Sequence, residues 1–167
     1  MQYNQSKFQL DLDVSALKIG IVAALFNNEV VDSLIYMAKK ALIAQGINDN
    51  QIEIKQVPGA YEIPLMCKYL ADGKEGKDTR DYHYDGLIAL GCVIRGETLH
   101  FEQVAHAASD GVLRVSLDHS IPIGYGVLAV DTIGQAIERS SKNDQNKGWE
   151  AAMAMLMMVQ QCQVDLI

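Results

Sequence analysis

The feature that most constrains this chain is the run Ile-Gly-Ile-Val-Ala-Ala-Leu at residues 19–25, seven positions without a polar side chain. A strand with one wet face alternates polar and apolar residues, so an unbroken run of strand length belongs in a sheet covered on both faces, the normal condition of parallel strands. Parallel neighbours need a long crossover, and the next segment supplies one. Val30, Val31, Leu34, Ile35, Ala38, Ala41 and Leu42 recur at helical spacing, with Asn27 or Asn28 as the cap and Gly46 as the stop.

The unit then repeats. Residues 51–57 read as a second strand ended by Pro58-Gly59, and residues 62–70 as a short helix whose first turn tolerates Pro64. Residues 72–84 are polar and mixed in charge, the composition of a surface loop. A third buried strand is expected over 86–92, then a loop over 93–98 and a helix over 99–117. The fourth strand spans 121–130; Asp131-Thr132 caps a helix ending near Ser140, and a last helix covers 147–162. Four strands alternating with helices predict a three-layer α/β/α, flavodoxin-like fold with a four-stranded parallel sheet and right-handed crossovers. At 167 residues and 49% hydrophobic content the chain has material for one core, so a single domain is expected, with residues 1–16 as an N-terminal extension. Met153, Met155, Met157 and Met158 read as gap-filling core or interface residues.

Charge and cysteine usage remove several function classes. The net charge is -7 and the lysines and arginines are scattered, which argues against nucleic acid or an anionic membrane as partner. Cys67, Cys92 and Cys162 are odd in number and form no C-x-x-C pair, so neither a disulfide framework nor a zinc site is indicated, and a reducing cytoplasm is expected. His83, His106 and His119 show no metal-ligand spacing with His100. Residues 1–15 lack a signal-peptide core, and no run approaches the roughly 18 apolar residues of a membrane span.

In parallel sheets ligands bind beyond the carboxyl ends of the strands, which selects residues 26–27, 58–62, 93–100 and the segment after Val130. The third of these follows Gly91-Cys92-Val93-Ile94-Arg95-Gly96, a spacing shared with nucleotide phosphate loops, but Glu97 stands where the phosphate-binding lysine belongs and would repel a triphosphate. What remains is a glycine turn at a helix N-terminus, which holds one phosphate or simply turns the chain. His100, on the first turn of that helix, either exchanges protons with a substrate or is structural. Phe26 either stacks on a planar heterocycle or packs. Glu62 either accepts hydrogen bonds from sugar-like hydroxyls or charge-matches its helix, and Arg139 and Lys147 bracket a polar loop as cations for an anion or as ordinary surface charges.

As a set, these residues resemble the lumazine synthase family. The resemblance runs from the first strand to the last helix, on Phe26-Asn27, on Val57-Pro58-Gly59-Ala60-Tyr61-Glu62-Ile63-Pro64, on Gly91 through Arg95-Gly96-Glu97-Thr98-Leu99-His100, on Gln135-Ala136-Ile137-Glu138-Arg139 and on Asn146-Lys147-Gly148. It implies condensation of 5-amino-6-(D-ribitylamino)uracil with 3,4-dihydroxy-2-butanone 4-phosphate, without metal or organic cofactor. It further implies that Phe26 stacks on the pyrimidine, that Asn27, Ala60, Tyr61 and Glu62 hold the ribityl chain, and that Cys92, Val93 and Ile94 line the pyrimidine edge through backbone groups, helped by Lys147. Glu97 and Thr98 would bind the phosphate, with Arg139 as charged partner and His100 as the proton donor and acceptor. Tyr125 stands where the family often has a phenylalanine lent by a neighbouring subunit, and Cys92 where threonine is frequent. The resemblance implies a homo-oligomer, a pentamer, with a riboflavin synthase as a candidate partner; residues 140–145 lack the glycine-containing linker associated with sixty-subunit shells. The rival from another class is a flavodoxin-like module that binds a flavin mononucleotide and carries electrons.

Overall fold

In the computed structural model, residues 10–73 and 83–164 are described. The elements follow in the order β1 (Ile19–Ala24), α1 (Asn28–Ala44), β2 (Ile52–Val57), α2 (Ile63–Ala71), β3 (Gly86–Ile94), α3 (His100–His119), β4 (Ile123–Val130), α4 (Ile133–Arg139) and α5 (Lys147–Val164). All strand pairs are parallel and the spatial order is β2-β1-β3-β4. The three-layer arrangement expected from the sequence is the one observed. Every residue of β1 is buried, as its unbroken apolar run requires.

Alternation along the strands divides the core in two. Ile19, Ile21, Ile88 and Leu90 face one layer with Leu34, Ala38 and Leu42 of α1 and Ala152, Met155 and Leu156 of α5. Val22, Leu87 and Ala89 face the other with Ile63, Cys67 and Leu70 of α2 and Ala108 and Val112 of α3. Full burial of one such Leu or Ile side chain is worth about 1.5–3 kcal/mol, so the two layers carry the fold. The N-terminal segment joins them: Leu10, Leu12 and Val14 pack against the first layer. Of the methionines expected as filler, Met153 and Met155 are buried while Met158 is exposed.

Helices α1 and α5 meet almost backbone to backbone. A Cβ on Gly148 would lie 2.1 Å from the Leu34 carbonyl oxygen. Gly148→Ala is therefore expected to force the helices apart at a cost of about 1–3 kcal/mol, a fall in Tm of roughly 2–12 °C at about 2–4 °C per kcal/mol for a chain of this size. A melting curve that overlays the parent's would show that the helices separate freely.

Several boundaries depart by one or two residues from the sequence expectation, three of them at strands whose pairing bears on the site. Leu25 lies outside β1 and is exposed, although its N–H still donates to the Val57 carbonyl at 2.9 Å. β3 continues through Val93 and Ile94 instead of stopping at Cys92, since β4 pairs with it as far as Ile94 opposite Val130. β4 starts at Ile123, two residues later than expected. Of the expected surface loop over 72–84, residues 74–82 lie outside the described residues, and its last residue, Tyr84, is buried. The Tyr84 hydroxyl donates to Glu53 at 2.5 Å, and the Lys18 ammonium sits 4.5 Å from its ring centre.

The two edges of the sheet differ in character. β2 carries Glu53 and Lys55, paired at 2.6 Å, whereas β4 reads Ile-Gly-Tyr-Gly-Val-Leu-Ala-Val without a charge. Among the described residues, no helix is long and apolar enough to cross a membrane.

Candidate active site

The connection from β1 leads to one side of the sheet and that from β3 to the other, so the order reverses between these two neighbouring strands. At such a switch point the loops diverge and leave a crevice. A cavity of about 520 Å³ opens there, at the carboxyl ends of β1, β2 and β3. Phe26 and Asn27 come to it from the β1 loop, and Ala60, Tyr61 and Glu62 from the turn after β2. Cys92, Val93 and Ile94 form its floor and His100 stands at the start of α3.

Local chemistry fixes each of these. Asn27 adopts a left-handed conformation, φ 56° and ψ 46°, which asparagine tolerates better than most residues. It caps α1 through its backbone only: its carbonyl accepts from Val30 and Val31, while its side-chain amide donates to the Cys92 carbonyl at 2.8 Å. That bond ties the loop bearing Phe26 to the end of β3. One Glu62 carboxylate oxygen accepts from the Gly59 N–H at 2.9 Å, which anchors the turn 60–62. Phe26 is 70% exposed, so its ring is offered to the cavity mouth and not spent on the core.

Gly59 and Val104, which the sequence reading did not single out, also line the cavity. A Cβ on Gly59 would approach Phe26 Cδ2 to 3.1 Å and Glu62 Oε2 to 3.3 Å, so the glycine leaves room for both side chains. Val104 lies one helical turn beyond His100 on the same face, a signal that i, i+4 spacing carried.

Burial pushes the Cys92 thiol up to about 11 and the Cys67 thiol up to about 12. Both are neutral thiols near pH 7, and Cys92 enters the site as a wall, not as a nucleophile. The neutral form is the one favoured on folding, so this contribution to stability is present below the ordinary thiol pKa and is lost as pH rises from there towards 11. Cys162 is exposed. At pH 8 the native protein is expected to show one thiol that reacts fast with a disulfide reagent, the other two reacting only after denaturation; a second fast thiol would mean that a buried wall opens.

The remaining candidates lie elsewhere in the chain. Glu97 and Thr98 sit in the exposed loop before α3, where Thr98 Oγ1 accepts from the His100 N–H at 3.4 Å. Tyr125 lines a second concavity, a groove between α3 and β4 shared with Arg95, Phe101, Glu102 and Asp131. Its phenol is pushed up to about 12 by burial and then by the Asp110 charge, against a hydrogen bond from Ser109. Arg139 donates to the Gln135 carbonyl on its own helix, and Lys147 pairs with Glu150 at 2.5 Å. Neither lines the cavity. Among the described residues no three or more His, Cys, Asp or Glu side chains gather as a metal site.

The sequence profile of the 6,7-dimethyl-8-ribityllumazine synthase family matches residues 16–163. This chain belongs to that family. Two relatives bear the same name: one from Desulfovibrio desulfuricans, 45% identical over 145 residues covering 87% of this chain and 88% of its own, and one from Desulfatibacillum aliphaticivorans, 45% identical over 148 residues covering 89% and 90%. The lumazine synthase match spans the whole sheet and every residue of the cavity. The flavin-carrier alternative is not favoured, and the loop after β1 offers an exposed aromatic ring where such a carrier needs a phosphate cradle.

Proposed function

We propose that this chain performs the reaction of its family in riboflavin biosynthesis, joining 5-amino-6-(D-ribitylamino)uracil to 3,4-dihydroxy-2-butanone 4-phosphate to give 6,7-dimethyl-8-ribityllumazine, phosphate and water. The observation that carries the proposal is the cavity in which an exposed aromatic ring, a strand edge, a carboxylate and a histidine converge at the switch point of the sheet. Phe26 stacks on the pyrimidine, whose edge meets the backbone of Cys92, Val93 and Ile94. The ribityl chain extends towards Asn27 and the Ala60-Tyr61-Glu62 turn.

The amine attacks the ketone, and loss of water leaves an imine. The imine acidifies the adjacent C–H; loss of that proton expels phosphate, and tautomerisation leaves a ketone. The ribityl-bearing nitrogen closes on this carbon and a second water departs. Each step moves protons, which His100 relays, and the phosphate rests against the backbone N–H groups of Glu97 and Thr98 at the N-terminus of α3, with the Glu97 carboxylate turned away from it. Holding both reactants in line supplies much of the rate.

The cavity lacks the cations Arg139 and Lys147 and the ring of Tyr125, which are placed elsewhere in the same chain. We propose that a neighbouring copy brings them, in a closed ring of five cytoplasmic subunits. A riboflavin synthase would consume the product. The test is to incubate the purified protein with both substrates and follow lumazine absorbance together with phosphate release. Absence of both, in protein shown to be folded, would overturn the reading.

A further inference from the structure

The first turn of α3 is a wall between two concavities: His100 and Val104 face the cavity, while Phe101, Glu102 and Ala105 face the groove that holds Tyr125. Arg95 fastens this wall. Its Nε donates to Asp131 Oδ1 at 2.6 Å, its Nη1 donates to Glu102 Oε1 at 3.0 Å, and its guanidinium lies 4.6 Å from the centre of the Phe101 ring. Its backbone N–H donates to the Val130 carbonyl at 2.9 Å. One side chain thus joins the end of β4, the start of α3 and the loop that carries Glu97 and Thr98.

We propose that Arg95 is a positioning residue for the phosphate-bearing substrate, holding the loop 95–99 and the first turn of α3 in register with the cavity without touching the substrate. The inference rests on the function proposed above. An exposed ion pair alone is worth little, but here two carboxylates and a ring fix one planar guanidinium, a geometry that a lysine cannot reproduce because its ammonium has no fork. The guanidinium has its Nε and Nη1 donors committed to the two carboxylates, whose negative charge also opposes a phosphate at its side.

That difference sets a test with a sign. If Arg95 positions the loop, the pair of changes Asp131→Asn and Glu102→Gln loosens it and raises KM for the butanone phosphate about tenfold, with KM for the uracil within twofold. If Arg95 binds phosphate directly, the same pair of changes frees it and KM for the butanone phosphate falls, which overturns the proposal. Arg95→Met is expected to raise the same KM at least tenfold, and Arg95→Lys to restore only part of it. Equal changes in both KM values, or full rescue by lysine, also overturn the proposal. Should Arg95→Met fail to fold, the two carboxylate variants, which keep the arginine, carry the sign test alone. Binding of inorganic phosphate, followed by phosphorus NMR on the same variants, is expected to weaken in parallel. This readout needs no turnover, so it separates failure of the clamp from failure of the proposed reaction.

Discussion

Replacing His100 by alanine is expected to lower kcat by about 100- to 10,000-fold, the range typical of general acid-base help, while binding of a substrate-like pyrimidine changes by less than about twofold. The reason is positional. His100 lines the cavity from the start of α3, an element separate from the β1 loop that carries the Phe26 ring. Its loss removes a proton relay from the transition state and little from the ground state, which is the signature of equal falls in kcat and kcat/KM. The measurement is steady-state kinetics with both substrates alongside equilibrium binding of a pyrimidine analogue. A rate within about twofold of the parent, less than about 0.5 kcal/mol, would remove His100 from the mechanism.

The second large effect concerns assembly. Phe26→Ala and Arg139→Ala are each expected to be strongly impaired, and subunits of the two, dissociated and reassembled together, to recover activity. Phe26 belongs to the cavity and Arg139 lies apart from it, so in a shared site the two residues come from different copies. Wherever the intact cavity of one variant meets the intact α4 of the other, a complete site is rebuilt. Random mixing places roughly a quarter of the sites in that state, the product of two even chances at each head-to-tail junction. Mixed rings seen by native mass spectrometry without regained activity would place each site within one chain.

The sheet was legible because its signal is local. Residues 19–25 and 86–92 are apolar at nearly every position, and only burial on both faces accommodates that. The features that escaped depend on residues distant in sequence. Val93 and Ile94 are strand because β4 pairs with them, which no neighbour in the chain reveals. Tyr84 ends a polar stretch yet is buried, through Glu53 and Lys18. Asn27 has the composition of a side-chain cap, but its left-handed backbone turns the amide towards Cys92. In the site, Phe26, Glu62 and His100 could be proposed from strand-end position and chemistry. The clamp on Arg95 could not, since Asp131 lies a whole helix and strand further on.

The contrast between the sheet's margins bears on how this chain meets strands of other molecules. An edge strand presents unpaired N–H and C=O groups, and charges along it discourage other strands from joining. β2 has that guard in Glu53 and Lys55, and β4 has none. A newly folded chain is therefore one-sided in its stickiness. Among the described strands, β4 is the edge more open to wrong partners, and it is at that margin that a solubilising charge would do most to keep single chains apart.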